Sequence, residues 1–154
     1  MTTISKVSII AGGAGFIGVN LAKKLLSLGH VVVIGDNLSL GSKKNIEQWV
    51  STNLDNFIHI DLSSSEGALS LLEFCLKRHG RIDEVWHLAA NSDIPAGVDN
   101  PLVDLKDTFM TTFWLLDACK KFGVKEFNFA SSSAVYGDWG EVPLSEVLGP
   151  LSPI

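Results

Sequence analysis

The chain has 154 residues, 46% hydrophobic and 19% charged, which reads as one globular domain with a real core and not as a disordered segment. Its formal net charge is −5, its pI is near 5.2 and no basic run stands out, so a nucleic-acid partner is not expected. No stretch of 18 apolar residues occurs, and the opening MTTISKVSIIAGG reads as a strand, not a signal peptide, so no membrane association and a cytoplasmic location are expected.

Strands and helices alternate along the chain. Lys6–Ala11 is a continuous apolar run, suited to a parallel strand buried on both faces. A helix follows over Gly15–Leu28, with Phe16, Val19, Leu21, Leu25, Leu26 and Leu28 on its apolar side and Gly29 ending it. Val31–Gly35 is the second strand, Lys43–Val50 a short helix and Phe57–Ile60 the third strand. Ser63–Ser65 supplies capping hydroxyls for a helix that runs to His79 and stops at Gly80. Val85–Leu88 is the fourth strand. Pro101 opens a long helix that ends by Gly123, with Leu105, Phe109, Thr112, Leu116 and Cys119 on one face, and Glu126–Ala130 is the fifth strand. The stretch from Gly137 to Ile154 holds Pro143, Pro150 and Pro153 and reads as loop. This alternation predicts an open, doubly wound parallel α/β sheet of order 3-2-1-4-5, with a ligand beyond the strand C-termini at the switch between strands one and four.

Several motifs sit at those C-termini. Gly12, Gly15 and Gly18 form G-x-x-G-x-x-G between the first strand and its helix. Gly12 suits a tight turn, Gly15 a close approach of backbone to a pyrophosphate, and Gly18 close helix–strand packing; a merely structural turn is the plainer reading. Asp36 lies about 20 residues past the glycines, where a carboxylate accepts from the adenosine ribose hydroxyls and repels a 2′-phosphate. It also fits a turn-forming Asp-Asn pair with Asn37. Asp61 follows the third strand, either as an acceptor for the adenine amino group or as a cap for the next helix. His87-Leu88-Ala89-Ala90 ends the fourth strand. Small residues at 89 and 90 allow a dinucleotide to pass closely or the chain to pack tightly, and His87 reads as a hydrogen-bonded structural histidine before a base. Ser131-Ser132-Ser133 ends the fifth strand, either as hydroxyls that hold a substrate alcohol or as a turn. His30, His59, His79 and His87 lack metal-ligand spacing, so no metal is expected. Cys75 and Cys119 are isolated, as core thiols are.

Taken together, GGAGFIG, DNLSLGS, Asp61-Leu62, DEVWHLAA and SSSAVYGD followed by PLSE resemble the extended short-chain dehydrogenase/reductase superfamily. The nearest branch is that of the NAD-dependent nucleotide-sugar epimerases and dehydratases. The resemblance implies a Rossmann-type domain, NAD as cofactor, a nucleotide-sugar substrate and transient hydride transfer from a sugar carbon to NAD. It puts cofactor contacts on Gly12, Gly15, Phe16, Ile17, Gly18, Asp36, Asn37, Asp61, Leu62, Leu88, Ala89, Ala90 and Ser131, and makes Ser132 the catalytic hydroxyl. It also implies a homodimer through helix 101–122.

The departures from the family are specific. The catalytic base there is the Tyr of Y-x-x-x-K. The single tyrosine here, Tyr136, belongs to Val-Tyr-Gly and has Gly140 where the lysine would stand. In relatives the base follows a Ser-Pro-x segment, which Ser152-Pro153-Ile154 matches. The expectation is therefore an incomplete NAD-binding domain over residues 1–154, without the Tyr/Lys helix and the C-terminal substrate domain. A non-catalytic dinucleotide-binding module is the alternative. Ala11 replaces the usual Thr, Thr108 stands where Asn is common, and Ser92 replaces a Lys of bacterial UDP-galactose epimerases.

Overall fold

The computed structural model describes residues 5–49, 55–137, 140–141 and 143–145. Five parallel strands, β1 (Val7–Ala11), β2 (Val31–Asp36), β3 (Phe57–His59), β4 (Glu84–His87) and β5 (Glu126–Phe129), form one sheet of order β3-β2-β1-β4-β5. β1 is central, with Ile9 opposite Val33 on one side and Val85 on the other, and all five of its residues are buried. That is the burial its unbroken apolar run demands.

Helices cover both faces. On one face α1 (Phe16–Ser27) and α2 (Lys43–Trp49) enclose Ile10, Val19, Leu25, Val32, Ile34 and Ile46. On the other, α3 (Ser65–His79) and α6 (Thr111–Lys121) enclose Ile9, Val33, Leu71, Leu72, Val85 and Leu115. Cys75 and Cys119 belong to this second core and are free thiols, each pushed up to about 12 by burial. Both expected helix ends are present: the Ser64 hydroxyl accepts from the Gly67 N–H at 3.1 Å, and Gly80 closes α3 at φ 73°. No helix among the described residues is long and apolar enough to cross a membrane.

Two expectations are corrected. Phe16 and Leu28 are not on the core side of α1: they are 83% and 40% exposed, and the core takes Gly18, Val19, Ala22 and Leu25. Hydrophobicity alone misassigned Phe16, because the first turn overhangs the end of the sheet. The long helix is also broken. Ahead of it lies α4 (Ile94–Asp99), capped by the Asp93 carboxylate. Then α5 (Pro101–Asp104) runs into a π-helical turn over Leu105–Met110 and on into α6. The wide turn rotates the face presented to the sheet. Thr111, Leu115, Ala118 and Cys119 point inward, while Leu105, Phe109 and Leu116 of the expected stripe remain exposed.

A buried carboxylate stands outside every sequence expectation. Glu84, 2% exposed, accepts from the Ser8 hydroxyl at 2.7 Å, the Trp86 indole N–H at 3.0 Å and the Lys6 ammonium at 2.7 Å. Burial pushes its carboxyl upward, but these donors outweigh it and hold the group down at about 2.

Candidate functional site

A cleft of about 970 Å3 opens at the C-terminal ends of the strands. Its floor is the turn between β1 and α1. Gly12 has φ +80°, and a Cβ there would stand 2.6 Å from the Ala89 N. A Cβ on Gly18 would stand 2.5 Å from the Gly13 Cα. Both glycines are therefore required by the protein's own packing.

Gly15 differs. Its φ of −76° suits any residue, and a Cβ would meet only the Gly12 carbonyl at 3.6 Å. Nothing in the fold demands glycine there, and the freed space belongs to the cleft. Gly15 also caps α1 without a side-chain bond. The first-turn N–H groups, which have no intrahelical acceptors, are thus left to a ligand, and the helix dipole favours a negative one. These features fit a pyrophosphate.

Asp36, 7% exposed, is wired into the same turn. One carboxylate oxygen accepts from the Ala14 N–H at 2.9 Å and the other from the Leu38 N–H at 2.7 Å. Leu38 is thereby held at φ 59°, a backbone region costly for a branched side chain. The Asn37 side chain makes the next turn by accepting from the Ser39 N–H, and the His59 ring donates to the Asn37 carbonyl at 2.9 Å. Asp36 is thus a turn residue and also lines the cleft. Each carboxylate oxygen accepts more than one bond, so the two bonds it makes leave capacity for ribose hydroxyls.

Asp61 does not cap α3, because Ser64 does. It accepts from the Ser63 N–H at 2.9 Å and pairs with the Lys106 ammonium at 3.2 Å. Burial pushes its carboxyl up, and the Ser63 and Lys106 contacts together lower it below the usual carboxylate value. Leu62, beside it, is buried against the sheet.

At the end of β4 the Leu88 N–H donates to the Ala11 carbonyl at 2.8 Å, and the Ala89 backbone lies against Gly12, an approach that requires the glycine at 12, while Ala89 and Ala90 line the cleft. His87 is buried beneath, between α6 and the tilted rings of Phe127 and Phe129. The Thr112 hydroxyl donates to the Thr108 carbonyl at 2.8 Å, so the His87 ring donates from Nε2 to that hydroxyl, also at 2.8 Å. Its Nδ1 is buried without a partner among the described residues. Burial holds the ring down at about 4, so it is neutral at pH 7, as befits a structural histidine.

Ser131 and Ser132 follow β5 and reach the cleft's far end; the Ser132 carbonyl accepts from the Val135 N–H at 3.2 Å. Tyr136 lies on the following 3-10 turn (Ser133–Tyr136), away from the cleft lining. All fourteen residues singled out from the sequence line this one cleft: the five at the glycine turn, Asp36 and Asn37, Asp61 and Leu62, the three after His87, and the two serines. Sequence reasoning missed the wall formed by Asn91, Asp104, Asp107, Thr108 and Thr111, in which the Asn91 N–H donates to the Thr108 hydroxyl at 3.1 Å. Three threonines in one helical stretch, each able to bond its own backbone, were the available signal for the π turn.

Comparison with known proteins bears on the same residues. The profile of the NAD dependent epimerase/dehydratase family matches residues 8–154. The chain is 33% identical over 147 residues to UDP-glucuronic acid decarboxylase 1 of Xenopus tropicalis, covering 95% of this chain and 32% of that protein. It is 32% identical over 145 residues to UDP-glucose 4-epimerase of Azospirillum brasilense, covering 94% and 39%. The UDP-Glc/GlcNAc 4-epimerase of Campylobacter jejuni superposes with a TM-score of 0.78 at 33% identity, over 97% of this chain and 44% of that one. The UDP-glucose 4-epimerase of Thermus thermophilus, solved as a complex with NAD, superposes with a TM-score of 0.75 at 31% identity, over 95% and 44%. The chain thus spans less than half the length of each of these proteins. With the profile running from β1 through the whole strand-end cleft, the chain belongs to the NAD-dependent epimerase/dehydratase family.

Proposed function

We propose that this chain is the NAD-binding part of a nucleotide-sugar epimerase or dehydratase. The observation that carries the reading is convergence: an uncapped helix start at Gly15, the Asp36 carboxylate and the Ser131-Ser132 hydroxyls line one cleft. The glycine turn would hold the pyrophosphate. Asp36 and Asn37 would take the adenosine ribose, and Asp61 and Leu62 the adenine edge. Leu88, Ala89 and Ala90 would let the dinucleotide cross the strand ends, and Phe16 and Ile17 would flank it. Bound NAD supplies a hydride acceptor. Ser132 would hold the sugar hydroxyl in place beside it.

Proton abstraction needs a group of higher basicity than a serine hydroxyl. The 154 residues contain no Tyr-x-x-x-Lys, and neutral His87 faces Thr112. We infer that the base lies in the part of the protein that the longer relatives also possess. The exposed side of the broken helix, with Leu105, Phe109, Phe113 and Leu116, supports assembly as a homodimer. A non-catalytic NAD-binding module is favoured only by the missing base; an in-frame continuation beginning Tyr-x-x-x-Lys removes it.

Calorimetric titration with NAD and NADP tests the proposal. Binding of NAD with clear preference over NADP is expected, because the Asp36 carboxylate repels a 2′-phosphate. No binding of either would overturn the assignment of the cleft.

A further inference from the structure

Ala14, in the middle of the glycine turn, has both of its backbone polar groups held. Its N–H donates to the Asp36 carboxylate at 2.9 Å. Its carbonyl accepts from the Ser42 N–H at 3.3 Å and from the Asn45 side-chain amide at 3.1 Å. Asn45, partly buried, sits in α2 next to Ile46, whose full burial anchors that turn of the helix against the core. The approach is close: a Cβ on Gly41 would stand 2.9 Å from the Ala14 Cβ. Neither Ser42 nor Asn45 lines the cleft. The Ala14 carbonyl is therefore turned away from the space beside Gly15, where an oxygen would repel phosphate.

We propose that Asn45 is a positioning residue for the diphosphate of the cofactor, acting through the Ala14 carbonyl to keep the glycine turn ready for an anion. The proposal rests on the NAD reading above. Without the amide, the Ser42 N–H alone retains the carbonyl, and the 14–15 peptide can rotate its oxygen toward the cleft. The cost then falls on ligands that carry phosphate.

The full-length protein is titrated with NAD, ADP and adenosine by calorimetry and ligand-observed NMR. Asn45→Ala is expected to weaken NAD and ADP about five- to tenfold, the loss of one hydrogen bond, and to leave adenosine unchanged. Asn45→Asp is expected to lose more, since its carboxylate faces a carbonyl. Should Asn45→Ala fail to fold, Asn45→Ser, polar but too short to reach Ala14, carries the same comparison. Unchanged NAD affinity, or an equal loss for adenosine, overturns the role of Asn45. Failure of the unmodified protein to bind NAD overturns the underlying assignment instead.

Discussion

At the scale of single residues, the three motif glycines separate into two kinds. Gly12→Ala meets a positive φ and the Ala89 backbone and is expected to cost about 2 kcal/mol or more of stability, read by chemical denaturation. At Gly15→Val the new Cβ meets only the Gly12 carbonyl, at 3.6 Å, so the loss of stability should be smaller than for Gly12→Ala and limited to the poorer helix cap, while NAD binding is lost. A large drop in stability for Gly15→Val would show that the glycine serves the fold. Asp36→Ala removes the acceptor of two backbone N–H groups as well as the ribose contact. It is expected to cost about 1–3 kcal/mol of stability and to narrow the preference for NAD over NADP. Full stability with altered preference would mean that the two turns hold without it.

Two buried groups give the secondary-structure elements an acid response. The His87 ring is held near 4, below its ordinary 6.5, so the unfolded chain binds the proton first. Its contribution is present above pH 6.5 and lost as the pH falls towards 4, amounting to about 3 kcal/mol at most. Glu84 is held near 2 against an ordinary 4.5, so its contribution persists above pH 4.5 and is lost between there and 2. Denaturation midpoints across pH should therefore fall in two successive windows. His87→Phe should shrink the upper one and Glu84→Gln the lower, what remains coming from His79 and Asp61, which are also lowered. A single window, unaffected by His87→Phe, would contradict the buried neutral ring. At the π turn, Thr112→Val takes away both the acceptor for His87 and the donor to Thr108, and should cost about 1–2 kcal/mol.

Over the whole molecule, one group of apolar side chains left outside both cores lies along the broken helix and on β5, apart from Phe16 and Ile17 at the cleft. Leu105, Phe109, Phe113, Leu116 and Phe129 are all about half exposed or more, and β5 ends the sheet among the described residues. A bare strand edge beside an apolar helix face invites pairing with another chain. The 154-residue chain by itself is therefore expected to elute from size-exclusion chromatography as a dimer or larger species. A stable monomer with a sharp, two-state melting transition would show that this surface is tolerated in water.

Strand order and the position of the cleft were legible in the amino-acid sequence, because they depend on local pattern. An unbroken apolar run such as Val7–Ala11 has to be buried on both faces, and Gly12, Gly15 and Gly18 mark the strand–helix turn wherever the rest of the chain lies. Asp36, Asp61 and the paired serines were legible too, since each stands at or within a few residues of a strand's C-terminal end and parallel strands deliver those ends to one side. Three things were settled only in three dimensions. The π turn, where the Thr111 and Thr112 hydroxyls donate to the Lys106 and Thr108 carbonyls, leaves no trace in apolar periodicity. Glu84 reads as surface until the sheet brings Ser8 and Lys6, nearly eighty residues away in sequence, against it. The motif spacing already set Gly15 apart from Gly12 and Gly18, but only the open space beside its Cα shows that the fold's own packing does not require a glycine there.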